Sequence, residues 1–331
     1  MPKTFLSLLL VLAAFMASPA VYAESEPPEK VTIAQFGQER FLLYLPLYVA
    51  MEEGLFAKRG LDVSLSFVGN DDQIFAAVIS GQAQFGMGDP VFTAISHDKG
   101  GPGKTIAMML TKLGLSGVTN EAKIPPIKTP QDLEGLRVSS FPEPSTTYTL
   151  LKEFQTKDHV HFQIVQASFG GQIALLEAGQ TDIATDIEPS ISIAEDKGYP
   201  VVFNLSSFTE PQAITGIMTT ESEIAEHPKT VQKLVDALQE AVKLMYTKPQ
   251  VSTEVGRKIY PHLSDKVIHA AVDRMLLQNM YPRSILVEDK LWQRTLKTRL
   301  DNGDLRKPQA TDVAVDNRFA VQAQKDLAEQ K

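Results

Sequence analysis

Residues 69–100 read GNDDQIFAAVISGQAQFGMGDPVFTAISHDKG, and residues 170–198 read GGQIALLEAGQTDIATDIEPSISIAEDKG. Gly81-Gln82 recurs as Gly179-Gln180, and Asp98-Lys99-Gly100 as Asp196-Lys197-Gly198, both at an offset of 98 residues; Pro189 follows Pro90 one place later. Each copy reads as a helix stopped by glycine, a short strand, a turn ending in proline and a second helix. Glycine suits the stop because it adopts the left-handed conformation that closes a helix without a Cβ clash. A chain that uses one α/β half twice is constrained to build two similar halves, and the expectation is that they face each other across a cleft.

The flanking sequence agrees. Residues 31–36 alternate apolar and polar side chains like a half-buried strand, and residues 61–68 repeat the alternation. Pro46 suits a first helical turn, where its missing N–H costs nothing, and a short helix over 47–53 stops at Gly54. In the first copy Asn70 or Asp71 caps a helix over 73–80, residues 84–88 form a short buried strand, and Asp89-Pro90 opens a helix over 91–97. Strands are expected at 104–110 and, beside it, at 114–118. The Pro-rich polar run 120–129 marks a crossing, followed by strands over 136–140, 160–166 and 201–205 and a helix reaching Gln155. Strands alternating with helices imply parallel βαβ units. From Glu221 onward only helical patterns remain, including a tail helix over 313–330, and Trp292 reads as core. The expected division is a leader over 1–23, a discontinuous first lobe over 24–119 plus 215–331, and a second lobe over 120–214. The fold class is α/β, two lobes each built on a mostly parallel sheet flanked by helices, with a helical C-terminal extension.

At 331 residues the chain has room for about two domains. Lys3, an apolar run over 5–17 and Val21-Tyr22-Ala23 match a cleaved secretory leader, with cleavage expected after Ala23. That run falls short of the roughly 20 residues a spanning helix needs. Loss of Lys3 takes the formal charge from −8 to −9, and no dense basic tract is present, which argues against a nucleic-acid partner. There are no cysteines, so disulfides, thiolate metal sites, thiol nucleophiles and a lipid-bearing cysteine after the leader are all excluded. The six histidines lack metal-ligand spacing, and GxSxG, P-loop and HExxH motifs are missing. An exported, periplasmic, monomeric protein with no cofactor and no metal is expected.

In open α/β sheets ligands bind beyond the carboxyl ends of the strands. The loops in question are 36–40, 69–72 and 88–90 in the first half and 141–147, 168–171 and 186–189 in the second. They contribute the candidate ligand contacts Phe36, Gln38, Tyr44, Asn70, Asp71, Asp89, Glu143, Ser145, Thr146, Ser168, Asp186 and Glu188. Asp89 and Asp186 read either as helix caps or as contacts. Helix N-termini in such loops also present unpaired N–H groups.

Pro46-Leu47-Tyr48-Val49-Ala50, Glu53-Gly54-Leu55-Phe56, Gly60-Leu61-Asp62-Val63, Ser80-Gly81-Gln82-Ala83 with residues 86–90, Asp132-Leu133-Glu134-Gly135 and Gly179-Gln180-Thr181-Asp182 stand in a specific order. In that order they resemble the NMT1/THI5-like substrate-binding proteins of ABC importers, whose members bind nitrate, sulfonates, taurine or thiamine-pyrimidine precursors. The resemblance implies a two-lobed type II binding fold, a ligand between the lobes, and an inner-membrane permease with its ATPase as partner. It also places a ligand-facing side chain at Tyr44. A pyrimidine synthase resembles these binders but carries a cysteine-rich signature that this chain lacks.

The candidate loops are acidic, with Asp71, Asp72, Asp89, Glu143, Asp186 and Glu188 against Arg40 alone. Carboxylates oppose a buried anion and accept hydrogen bonds from an amino-heterocycle, which Phe36 or Tyr44 would stack upon. The expected ligand is therefore a nitrogenous aromatic ring such as a thiamine-pyrimidine precursor, with nitrate, taurine or an alkanesulfonate as the alternative. A ligand-responsive partner of a signalling protein and a secreted enzyme are the other classes left open.

Overall fold

A computed structural model describes residues 27–143, 145–168 and 170–329, so the expected leader lies outside the described residues. The first stretch runs β1 (Glu29–Gln35), α1 (Leu45–Glu52), β2 (Leu61–Phe67), α2 (Asp71–Ile79), β3 (Phe85–Gly88), α3 (Val91–Asp98) and β4 (Lys104–Leu110). Next come β5 (Ser116–Val118), β6 (Arg137–Ser140), α4 (Thr146–Lys157), β7 (Gln163–Gln166), α5 (Gln172–Glu177), β8 (Ala184–Asp186), α6 (Ser190–Asp196) and β9 (Val201–Asn204). The chain then returns through β10 (Thr215–Thr219) to helices α7 (Glu221–Glu226), α8 (Pro228–Thr247), α9 (Pro249–Ile259), α10 (Asp265–Leu277), α11 (Asp289–Asp301), α12 (Thr311–Ala314) and α13 (Arg318–Glu329).

The duplication read from sequence is a duplication of sheets. The first sheet has the order β2-β1-β3-β10-β4, parallel except for β10, which is antiparallel to both neighbours. In the second half β6 pairs in parallel with β7, and β5 lies antiparallel between β8 and β9. The Ser139 N–H donates to the Ile183 carbonyl at 3.0 Å, joining β6 to the approach of β8. The second order is thus β7-β6-β8-β5-β9, matching the first strand for strand, with its single antiparallel member in the same place.

This arrangement corrects the expectation that residues 114–118 lie beside β4. The chain leaves β4 at Leu110 and enters the other sheet as β5. The outer edge of β4 is covered instead by the C-terminal segment: Val315 bridges to Thr105, the Asp316 N–H donates to the Thr105 carbonyl at 2.9 Å, and Lys104 Nζ donates to the Asp312 and Val313 carbonyls at 2.6 and 2.7 Å. The expected single tail helix is split into α12 and α13 for the same reason, because Val315 is extended to meet the strand. Gln330 lies outside the described residues.

Local chemistry fixes the remaining boundaries. Pro46 occupies the first turn of α1. Asn70 caps α2 with a reciprocal bond between its N–H and Gln73 Oε1 at 3.2 Å, so α2 starts two residues earlier than the spacing predicts. Helix α8 packs its buried stripe of Val231, Leu234, Val235, Leu238 and Val242 onto the first lobe, against α1 and α13. Trp292 is fully buried beside Val91, Ala94 and Met108, which fastens α11 to α3 and β4.

Gly117, in the middle of β5, has no room for a side chain. A Cβ there would sit 2.7 Å from Ile183 Cγ2 and 2.9 Å from Phe203 Cβ. Gly117→Ala is expected to destabilise the protein by about 1–3 kcal/mol through overpacking. The urea midpoint reports it, and an unchanged midpoint would contradict the packing of β5 between β8 and β9.

Candidate functional site

The loops at the carboxyl ends of both sheets converge. Phe36, one residue past β1, and Phe141, one residue past β6, hold equivalent places in the two halves and meet edge to face with ring centroids 6.5 Å apart. Behind them lies a narrow cavity of about 50 Å³, walled by Phe36, Leu43, Tyr44, Leu113, Phe141, Ile187 and Ile214. Its polar groups are Asp71, Asp89, Ser145, Thr146, Thr147 and Thr215. A side chamber adds Asn70, Asp72, Phe92 and Pro142. A wide polar mouth of about 580 Å³ is edged by Gln38, Glu39, Asn70 and Ser168.

Nine of the sequence-derived candidates therefore meet in one continuous cleft: Phe36, Tyr44, Asp71, Asp89, Ser145 and Thr146 inside, Asn70 in the side chamber, Gln38 and Ser168 at the mouth. Three do not line it. Glu143 is exposed, with its backbone N–H donating to Gln166 Oε1 at 2.9 Å and its carboxylate beside Tyr148. Asp186 is buried behind the wall that Ile187 forms, and its Oδ1 accepts from the Ile187 N–H at 2.8 Å. Glu188 turns away to Arg274 on α10, at 2.6 Å, and accepts from the Ser192 N–H at 3.1 Å.

The cation expected in the cleft is also misplaced. Arg40 pairs with Glu52 at 3.3 Å and lies over the Tyr48 ring. A different cation reaches the site, Arg299 of α11, which is 2% exposed. Its Nη2 donates to Asp89 Oδ2 at 2.7 Å and to Thr146 Oγ1 at 3.0 Å, and its Nη1 donates to Thr149 Oγ1 at 2.9 Å and Asp304 Oδ2 at 3.0 Å. Burial opposes its charge, but the Asp89 and Asp304 carboxylates outweigh that and hold the guanidinium protonated. A sequence signal for it existed. Arg299 falls on the stripe Trp292, Thr295, Leu296, Arg299 that α11 buries, and a charge on such a stripe demands a buried partner.

Asp89 is thus engaged on both oxygens, because Oδ1 accepts from the Val91 N–H at 3.0 Å and caps α3. Asp71 differs. Its Oδ1 accepts from the Asp89 N–H at 3.1 Å, and burial, aided by the neighbouring Asp89 charge, pushes its pKa up to about 7. Burial likewise drives the Tyr44 hydroxyl well above its usual range, with the Asp71 charge adding to the effect. Among the described residues no cluster of three or more His, Asp or Glu side chains is arranged to hold a metal, and no helix is long and apolar enough to cross a membrane.

Burial also raises Asp186 to about 7, with the Glu188 charge adding to the effect and hydrogen bonds from the Ile187 N–H and the Ser190 side chain opposing it. For Asp71 and Asp186 the folded pKa lies above the unfolded value, so the folded state binds the extra protons. Their contribution to stability is complete below about pH 4 and is lost as pH rises through about 7. The melting temperature is expected to fall between pH 5 and pH 8, and Asp186→Asn is expected to flatten that slope. An unchanged slope in the variant would contradict the assignment to Asp186.

Solved structures share this architecture across nearly their whole length. A protein from Bordetella bronchiseptica RB50 superposes with a TM-score of 0.73 at 19% identity, covering 91% of this chain and 99% of its own. The alkanesulfonate-binding protein SsuA of Xanthomonas axonopodis pv. citri, solved with MOPS bound, gives 0.70 at 16% identity, covering 88% and 99%. The aliphatic sulphonate binding protein SsuA of Escherichia coli gives 0.70 at 17%, covering 88% and 92%. The desulfurization enzyme DszB has the same fold, with a TM-score of 0.63 at 15% identity, covering 90% and 99%. A search of curated protein sequences returned no match. The two-lobed periplasmic-binding fold is therefore established, and the sequence match to NMT1/THI5-like proteins spans residues 43–252, more than half of the chain. This chain belongs to the NMT1/THI5-like family.

Proposed function

We propose that this protein is the periplasmic binding component of an ABC importer, taking a nitrogenous aromatic heterocycle such as an aminopyrimidine into the cleft and presenting it to the permease. The observation that carries the ligand class is the Asp71 carboxyl in an aromatic and aliphatic cavity whose nearest cation already faces two carboxylates, Asp89 and Asp304. A ring bearing N–H donors satisfies Asp71 and lies against Phe36, Tyr44 and Phe141. A ligand that brings positive charge draws Asp71 into its ionised form, so its binding strengthens as pH rises toward 7. The lobes divide where the chain changes sheets, at residues 111–115 and 205–214, with the C-terminal helices on the first lobe. Export by the leader over 1–23, a monomeric state and an absence of turnover complete the reading.

One observation favours the alkanesulfonate alternative. Ser145, Thr146 and Thr147 bring the N-terminus of the twelve-residue helix α4 to the cavity, and such an end suits an anion. The two SsuA proteins named above bind sulfonates on the same fold.

Calorimetric titration with 4-amino-2-methylpyrimidine, taurine and nitrate separates the readings. Aminopyrimidine binding that Asp71→Asn weakens by roughly tenfold to a hundredfold is expected, from the worth of a hydrogen bond to a charged group. Taurine binding with no response to the pyrimidine would overturn the preference for a heterocycle. Conversion of any probe to a new product would overturn the binding-protein reading itself.

A further inference from the structure

Each half carries a carboxylate immediately before the proline of its equivalent turn, Asp89 before Pro90 and Glu188 before Pro189. Both are claimed by arginines of the C-terminal helices, Arg299 of α11 and Arg274 of α10. The two ties are built differently. Arg274 reaches the second lobe with full charges, pairing with Glu188 at 2.6 Å and with Glu195, and Glu188 is only 1% exposed. Arg299 pairs with Asp89 and Asp304 on the first lobe and donates to the hydroxyls of Thr146 and Thr149 on α4 of the second; Thr146 also donates directly to Asp89, and Lys157 of α4 stands 3.8 Å from Asp301 of α11 as a partly exposed pair.

We propose that Arg299 is the positioning residue of the cleft, a guanidinium anchored on the first lobe that draws in the cavity end of α4 through two hydroxyls and releases it when the lobes part. It does not line the cavity. It acts through Asp89 and Thr146, which do. The planar fork fixes the oxygens it binds relative to one another, so the two cavity walls are set together. Separation at this point costs little, because Asp89 and Asp304 stay on Arg299, the threonine hydroxyls exchange their bonds for water, and the Lys157–Asp301 pair that also parts is already solvated. Separation at Glu188 would leave a buried carboxylate without its cation, which is far more costly. The lobes therefore part at the threonine side and hold together where α10 meets α6. The assignment does not depend on which ligand the cavity takes.

The lack of cysteine allows a clean distance measurement. Spin labels at Lys58→Cys, on the first lobe, and Lys152→Cys, on α4, both exposed positions, report the gap between lobes by pulsed electron resonance. The expected result is a longer and broader distance distribution in Arg299→Met than in the parent labelled protein. Arg299→Met leaves two carboxylates without their partner, so the double variant Thr146→Val, Thr149→Val, which keeps both ion pairs, provides the second arm. It is expected to lengthen the distance with a cooperative melt retained. A distribution in the double variant indistinguishable from the parent would overturn the proposal, whatever happens to Arg299→Met.

Discussion

A guanidinium withdrawn from water has to be matched charge for charge, and Arg299 imposes that requirement on the centre of this molecule. Its two carboxylates and two hydroxyls come from α3's capping turn, from the end of α11 and from α4. Desolvation of such a cation costs several kcal/mol unless the partners are in place. The position of α11 is fixed in turn by Trp292 packed on α3 and β4. The C-terminal helices are thus more than a covering for the first sheet. They deliver to the cleft a charge that neither of the duplicated halves contains.

The consequence for recognition is a division of labour between two adjacent carboxyl groups. Asp89 is spent on structure, capping α3 and neutralising Arg299. Asp71, held by the Asp89 N–H, faces the cavity with a proton affinity near neutrality. Of the aromatic rings that enclose it, Phe36 comes from the first half and Phe141 from the second, so the cavity is walled by both halves and by neither alone.

Much of the fold was legible from the 98-residue repeat, because the matching glycine stops and proline turns report backbone geometry directly. The sheet order that follows was legible only in part. Residues 114–118 look like any short buried strand, and nothing local says which sheet they join, since that depends on a crossing rather than on propensity. Val315 likewise carries no mark of its pairing with Thr105. In the site, the aromatic and hydroxyl positions followed from their places at strand ends and helix starts. The acidic residues did not sort themselves, because a carboxylate that caps a helix, one that meets an arginine and one that faces a ligand have the same letters around them. Glu188 needed Arg274, 86 residues away, and Asp89 needed Arg299, 210 residues away, before their roles could be read.

The place of β10 has a bearing on how the molecule comes to exist. In the first sheet it lies between β3 and β4, so two strands made early in synthesis are not neighbours and cannot zip together while they wait. The missing rung arrives only when residue 219 has emerged, and the rim of β4 is sealed later still by Val315. Until β10 arrives, β2, β1 and β3 stand as a contiguous parallel trio with β4 apart from them, and the contacts that join β4 through β10 span a long stretch of chain. Joining of β4 to its sheet is therefore a late event in the life of the chain, set by connectivity and not by the strength of any local element.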